Sequence, residues 1–147
     1  DVTFVPIAMP VIKNLKGTET LLVAEDEEDL RELIFETLKQ NGYKVIIANN
    51  GLDALDKIKA CDGKIHLIIT DVVMPQMGGR EMAKHAQEIN KEIKILFLSG
   101  YTEDVLMREG IYSGQYYFLA KPYTLSALLS NVRTILGADL TNKMSEP

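Results

Sequence analysis

The residues of this chain that could carry chemistry are acids, a hydroxyl and a lysine, and each follows a short apolar run. In chain order they are Glu25, Asp26, Asp71, Ser99 and Lys121. Carboxylates brought together raise one another's pKa, and a hard divalent cation such as Mg²⁺ removes that repulsion by binding their oxygens. A carboxylate beside Mg²⁺ is a suitable nucleophile toward phosphorus, while a lysine and a hydroxyl can contact the phosphoryl oxygens. The residue types therefore favour metal-assisted phosphoryl transfer.

Four of these residues also have an ordinary structural interpretation. Asp26 could cap the helix that follows it, and Asp71 could be a loop acid. Ser99 belongs to a common turn pair, and Lys121 could be a solvated loop lysine. The chemical interpretation depends on all four positions falling at strand ends, because the carboxyl ends of parallel strands meet at one edge of a sheet.

The segments that must position these residues alternate between apolar strands and amphipathic helices. Predicted strands cover residues 21–24, 44–48, 65–70, 93–98 and 116–120. Apolar side chains at spacings of three and four predict four helices: Leu30, Leu33, Ile34 and Leu38 on one face of the first; Leu52, Leu55 and Ile58 marking the second; Met82, Ala86 and Ile89 facing inward on the third; and Leu125, Leu128, Leu129, Val132, Ile135 and Leu136 as an inward stripe on the last. Thr102 and Thr124 are predicted N-caps, and Gly137 is the predicted end of the last helix. The alternation predicts a parallel sheet covered on both faces.

Composition excludes several other classes of protein. The chain has 147 residues and a net charge of -5, which suits one globular domain and argues against direct binding of nucleic acid. Its single cysteine, Cys61, excludes an internal disulfide and indicates a reducing, cytoplasmic setting. No apolar run in the sequence is long enough to span a bilayer. Because the sequence does not begin with Met, we expect a fragment of a longer chain.

Four stretches of the sequence match one known family in order and spacing. They are Leu21-Leu22-Val23-Ala24-Glu25-Asp26-Glu27, Leu67-Ile68-Ile69-Thr70-Asp71-Val72-Val73-Met74-Pro75 with Gly79, Leu98-Ser99-Gly100-Tyr101, and Phe118-Leu119-Ala120-Lys121-Pro122. With these motifs the chain resembles the response-regulator receiver domain of two-component signalling systems from about Glu19 to Leu136. The resemblance implies a flavodoxin-like α/β fold, a (βα)5 arrangement with a parallel sheet in the order 2-1-3-4-5 and helices on both faces.

The resemblance also implies a role for each acid. Asp71 would accept a phosphoryl group from a phosphohistidine on a histidine kinase or a histidine phosphotransfer domain. Asp26 and Asp71 would ligate Mg²⁺ together with the backbone carbonyl of Val73, and Glu25 would act near the metal. The chain by itself would not be an enzyme, although it would assist its own phosphorylation and dephosphorylation.

Further residues are implied to sense the phosphoryl group. Ser99 would move toward it, Lys121 would contact it, and the Lys121-Pro122 peptide bond would be cis. Phe118 would be the aromatic residue that changes rotamer, and Tyr117 beside it would point to the opposite face of its strand. An output domain or a second copy of the chain would bind the face formed by the fourth helix, the fifth strand and the fifth helix.

Two positions depart from the commoner family pattern, since Glu25 stands where Asp is usual and Phe118 where Tyr is usual.

The motif details resemble receivers at the carboxyl end of hybrid sensor histidine kinases. On that interpretation residues 1–18 are a linker or the tail of a preceding domain, 19–137 are the receiver and 138–147 are a polar tail. A stand-alone single-domain regulator is the alternative. The receiver would be cytoplasmic, with no membrane contact of its own, and membrane attachment of the parent protein is left open.

Two functions of another class stay open beside the receiver. A magnesium-dependent phosphatase with an aspartyl-phosphate intermediate would resemble the haloacid-dehalogenase enzymes, but these carry a second Asp where this chain has Val73. A protein-binding module that works without phosphorylation is the other alternative, and the acid, hydroxyl and lysine positions argue against it. Neither His66 nor His85 lies in a pattern typical of a kinase phospho-acceptor.

Overall fold

A computed structural model describes residues 14–100 and 116–137 of the chain. Its elements in chain order are β1 (Thr20–Ala24), α1 (Glu28–Gln40), β2 (Lys44–Ala48), α2 (Gly51–Ala60), β3 (Leu67–Asp71), α3 (Gly79–Ile89), β4 (Lys94–Ser99), β5 (Tyr116–Ala120) and α4 (Leu125–Leu136). The five strands are parallel and lie in the order β2-β1-β3-β4-β5, which confirms the predicted fold. The helix predicted to begin near Thr102 lies outside the described residues.

Alternating side chains divide the core into two layers, one on each face of the sheet. Leu22, Ile68 and Phe97 face the layer that α2 and α3 cover. Their neighbours in sequence, such as Val23 and Ile69, face the layer that α1 and α4 cover. Because consecutive strand residues point to opposite faces, strands buried on both sides must be apolar throughout, as these are.

The ends of two helices follow the predicted capping chemistry. The Thr124 hydroxyl oxygen accepts a hydrogen bond of 3.0 Å from the backbone N–H of Ala127 at the start of α4. Gly137 ends that helix in the left-handed region at φ 96°, which glycine adopts without a steric penalty. At α1 the N-cap is Glu27, and its side chain makes no capping hydrogen bond. Asp26 therefore lies outside the N-cap position that its ordinary interpretation required.

Three apolar residues of the helical patterns are exposed, and the prediction that one of them, Ile89, faces inward was wrong. Leu33, Leu52 and Ile89 are 49%, 44% and 38% exposed, respectively. Leu33 lies on the edge of the apolar stripe of α1, whereas Ile34 on the same helix is fully buried. Leu52 and Ile89 lie in the first turn of α2 and at the last residue of α3. Helical spacing identifies a stripe, but the neighbouring elements decide how much of it they cover.

The segment before β1 packs against the body of the domain. Arg133 of α4 donates hydrogen bonds to the carbonyl oxygen of Lys16 at 3.1 Å and to the Tyr43 hydroxyl at 3.1 Å. Its guanidinium also binds the Glu19 carboxylate, with Nη2 at 2.7 Å from Oε2. This ion pair holds the pKa of Glu19 below its ordinary value, mainly through the hydrogen bond from Arg133. The predicted domain boundary at residue 18 stays a prediction.

Candidate functional site

Strand register brings the predicted site residues to one edge of the sheet. Asp71 is the last residue of β3, and Glu25 directly follows β1, whose Ala24 is paired with Thr70. Ser99 ends β4, and the N–H of Lys121 donates to the carbonyl oxygen of Ser99 at 2.8 Å. Because β1, β3, β4 and β5 are consecutive neighbours in the sheet, their carboxyl ends form one continuous edge.

Three carboxylates meet at this edge. One oxygen each of Glu25, Asp26 and Asp71 lies within 4.8 Å of the other two. Glu25 is 2% exposed and Asp71 is 6% exposed, while Asp26 is open to solvent. Within residues 14–100 and 116–137, this is the one acidic, histidine or cysteine group compact enough to hold a metal ion. A set of oxygen ligands that is open on one side suits a hard divalent cation that keeps some of its water.

Lys121 supplies the positive charge next to the buried acids. Its Nζ lies 2.6 Å from Oδ1 of Asp71, and its side chain stays about one third exposed. Burial alone would lower the pKa of Lys121, but the contact with Asp71 and the charges of Glu25 and Asp26 outweigh burial and raise it. The ammonium group is therefore held in its charged form beside Asp71.

The surroundings of Glu25 make its ionisation unfavourable. Its Oε2 accepts a hydrogen bond of 2.9 Å from the backbone N–H of Glu27. Its Oε1 is buried without a hydrogen-bond partner among the described residues. Burial, and after it the neighbouring Asp71, raise the pKa of Glu25 to about 8, although the backbone N–H of Glu27 and the charge of Lys121 lower it. Ionising both buried acids without a cation is therefore costly.

The segment between Asp71 and α3 forms a tight turn. The N–H of Gly79, the first residue of α3, donates to the carbonyl oxygen of Val72 at 2.9 Å. A Cβ at Gly79 would overlap the carbonyl oxygen of Asp71, so only glycine allows this close approach. Val73 lies two residues beyond Asp71 in this turn and is 63% exposed.

The residues predicted to sense a phosphoryl group lie on β4 and β5. Ser99 is buried at the end of β4, with 5% of its surface exposed. The ring of Phe118 stacks on Phe97, with 5.6 Å between the ring centroids. Tyr117 is 37% exposed on the other side of β5, as predicted. The predicted cis peptide bond between Lys121 and Pro122 is confirmed, whereas movement of Ser99 or Phe118 stays a prediction.

Sequence reasoning missed one residue of the site. Tyr123 lies in the loop between β5 and α4, and its hydroxyl is buried without a partner in the described part of the chain. Burial, and after it the negative charges of Glu25 and Asp71, raise the pKa of Tyr123 to about 12. The signal available was weak, since an aromatic residue after a Lys-Pro pair is equally consistent with packing alone.

A protein-family model identifies the chain. The model described as "Response regulator receiver domain" matches residues 21–133, which include every residue of the acidic cluster and Lys121. The chain belongs to the response regulator receiver domain family. The family belongs to two-component signalling, so the prediction made from the sequence motifs is confirmed.

Individual relatives agree with the family assignment. The chain is 33% identical over 123 residues to the sensor kinase CckA of Brucella abortus, covering 84% of this chain but only 13% of that kinase. It is 32% identical over 118 residues to the response regulator receiver protein CpdR of the same organism, covering 80% of this chain and 97% of CpdR.

Solved structures share the fold. The receiver domain of the hybrid histidine kinase CckA matches with a TM-score of 0.69 at 30% identity, covering 80% of this chain and 98% of that domain. The response regulator TrrA of Thermotoga maritima, crystallised in complex with Mg²⁺-BeF, matches with a TM-score of 0.70 at 29% identity. That match covers 81% of this chain and all of TrrA.

Within the described residues, no helix is long and apolar enough to cross a membrane.

Proposed function

We propose that this receiver accepts a phosphoryl group on Asp71 from a phosphohistidine of a partner protein or domain. The observation that carries the proposal is the contact of 2.6 Å between Lys121 Nζ and Asp71 Oδ1 inside a cluster of three carboxylates. A nucleophilic carboxylate, a fixed cation and a place for a divalent metal are the parts that phosphoryl transfer needs.

Mg²⁺ is the cofactor that best fits the acidic cluster. Glu25, Asp26 and Asp71 would hold it, together with the backbone carbonyl of Val73. The buried, unpartnered Oε1 of Glu25 supports this assignment, because a carboxylate oxygen in that position gains a ligand when a cation is bound. The related TrrA was crystallised with Mg²⁺-BeF. Bound Mg²⁺ would neutralise the carboxylates and the phosphoryl oxygens.

The residues of this chain have distinct tasks in the transfer. A carboxylate oxygen of Asp71 attacks phosphorus, the bond from phosphorus to the imidazole nitrogen breaks, and the imidazole leaves with the electron pair. Lys121 stabilises the charge on the phosphoryl oxygens because the neighbouring acids, in spite of partial burial, keep it protonated beside Asp71. The Ser99 hydroxyl donates a hydrogen bond to the same oxygens.

The signal would pass from the site to β5. Phe118 stacks on Phe97 next to the β4–β5 edge and is the side chain we propose to change rotamer after phosphorylation. The face formed by the predicted Thr102 helix, β5 and α4 would then bind an output domain or a second copy of the chain.

We propose a hybrid histidine kinase as the parent of this chain. The support is the match to the receiver of the hybrid kinase CckA and the match to 13% of the CckA sensor kinase. A stand-alone regulator is the alternative, supported by the match to 97% of CpdR. Either parent would place the receiver in the cytoplasm, where a kinase phosphohistidine is available.

Two functions of another class remain as alternatives. A module that binds its partner without phosphorylation would need the same fold but no reactive Asp71. A magnesium-dependent phosphatase would need a general acid near Asp71, and the residue two positions on is Val73, whose side chain cannot donate a proton.

The test is the intact mass of the protein after incubation with acetyl phosphate, with and without Mg²⁺. The parent should gain one phosphoryl group only with Mg²⁺, and Asp71→Asn should gain none. Glu27→Gln is the matched control, because Glu27 is an exposed acid beside the cluster whose removal leaves all three carboxylates in place.

The outcomes separate the proposal from its alternatives. No gain by the parent, either with acetyl phosphate or with a phosphorylated histidine kinase, would favour the binding module. Rapid release of inorganic phosphate from many small phosphate esters would favour the phosphatase. A gain that persists in Asp71→Asn would refute Asp71 as the acceptor.

A further inference from the structure

The Tyr123 hydroxyl is a buried polar group that the proposed phosphoryl transfer does not use. Its ring packs against the apolar layer between the sheet and helices α1 and α4. The hydroxyl itself is buried and has no hydrogen-bond partner among the described residues. A buried hydroxyl without a partner destabilises the fold, so its position calls for a specific explanation.

The face of the sheet on which Tyr123 packs also carries two of the three acids. Val23 and Ile69 face the α1 and α4 layer, and residues two positions further along the same strands share that face. Those residues are Glu25 and Asp71. Their negative charges, added to burial, raise the pKa of Tyr123 to about 12. The phenol near the cluster therefore stays protonated and keeps its O–H as a donor.

Glu25 offers the complementary acceptor. One carboxylate oxygen, Oε2, is held by the backbone N–H of Glu27 at 2.9 Å. The other, Oε1, is buried and has no partner in the described part of the chain. A donor and an acceptor, both buried and both without partners, thus lie at the same end of the same sheet face.

We propose that Tyr123 is a positioning residue, whose O–H donates through one water molecule to Glu25 Oε1 once a divalent cation is bound and thereby holds the carboxylate toward that cation. The inference rests on the proposed cation site but adds a residue that acts on it through Glu25. Tyr123 does not touch the reacting atoms, so its effect should appear in cation binding before any chemistry takes place.

The test compares Tyr123→Phe with the parent, because this substitution removes the hydroxyl and keeps the ring that packs against the core. The affinity for Mg²⁺ alone is measured by calorimetric titration. We expect affinity to fall about tenfold, the usual effect of losing a hydrogen bond to a charged group. The thermal midpoint of the metal-free variant should equal or exceed that of the parent, since the lost hydroxyl has no partner there. Tyr117→Phe, on the exposed side of β5, is the matched control and should change neither quantity.

A double-mutant cycle shows whether Tyr123 acts through Glu25. In a Glu25→Gln background the hydroxyl has no carboxylate to orient, so adding Tyr123→Phe should change Mg²⁺ affinity less than twofold. An unchanged affinity in the single Tyr123→Phe variant would overturn the inference and leave Tyr123 a packing residue. A tenfold loss that persists in the Glu25→Gln background would also overturn it, because the partner would then be another group.

Failure of this inference is distinguishable from failure of the proposed function. A parent that gains the phosphoryl group while Tyr123→Phe binds Mg²⁺ normally contradicts the inference alone. A parent that binds Mg²⁺ but never gains a phosphoryl group contradicts the function alone, and the cycle can still be measured. A parent that does not bind Mg²⁺ overturns both.

Discussion

Replacing Glu25 by Gln should stabilise the metal-free protein near neutral pH. Gln has almost the same shape as Glu, and its side-chain oxygen can still accept the N–H of Glu27 that now binds Oε2. The substitution removes a buried carboxyl group beside Asp71 that must take up a proton on folding at neutral pH, because its pKa is raised. Stability gained by this substitution would show that the acidic cluster is destabilising without a cation.

The pH dependence follows from the raised pKa of Glu25. In the folded protein this pKa is about 8, compared with 4.5 for the free side chain, mainly because of burial and then because of Asp71. The folded state therefore holds the proton more tightly than the unfolded state. Its contribution to stability is fully present below pH 4.5 and is lost as pH rises toward 8.

The size of the effect can be bounded. Each pKa unit corresponds to about 1.4 kcal/mol, so the proton uptake that folding forces on Glu25 would cost at most about 3 kcal/mol at pH 7. Water around the exposed Asp26 screens part of the repulsion, and we expect about 1–2 kcal/mol. For a domain of this size that gain should raise the thermal midpoint by roughly 3–8 °C.

The assay is urea denaturation of the parent and of Glu25→Gln at pH 5.5 and pH 7.5, with and without Mg²⁺. The advantage of the variant should grow with pH in the absence of Mg²⁺ and shrink when Mg²⁺ stabilises the parent by mass action. Glu27→Gln is the control, since Glu27 lies outside the cluster. A variant that is less stable than the parent by the same amount at both pH values would refute the reasoning.

Three further predictions test other contacts of the domain. Lys121→Met should destabilise the metal-free protein by about 1–2 kcal/mol in urea denaturation, because it leaves Asp71 buried without a cation; no loss would show that the ion pair is energetically neutral. Arg133 lowers the pKa of Glu19, so the parent should lose stability as pH falls below about 4.5. Glu19→Gln should lose less stability over that range, measured by urea denaturation between pH 6 and pH 3. An equal loss of stability in the two proteins would contradict the ion pair as the cause. Val73→Asn should speed the loss of phosphoryl label severalfold, since Val73 gives an attacking water no hydrogen-bond partner; comparable decay in the two proteins would rule this out.

Local sequence determined the order of elements and their chemistry-bearing ends. Fully apolar runs such as 67–69 predicted strands buried on both faces, and the acids after them predicted the functional edge. Thr124 and Gly137 marked the bounds of the last helix correctly, because caps depend on hydrogen bonds within a few residues. The strand order itself came from family resemblance rather than from composition or spacing.

Tertiary structure alone decided how much each side chain is buried and which atoms meet. Leu33 and Ile34 look equally apolar in sequence, yet one is half exposed and the other fully buried, because neighbouring elements cover only part of the stripe. The raised pKa of Glu25 and the unpartnered hydroxyl of Tyr123 arise from burial beside groups far apart in the chain. Desolvation and proximity are properties of the folded arrangement, so no local pattern of residues could have predicted them.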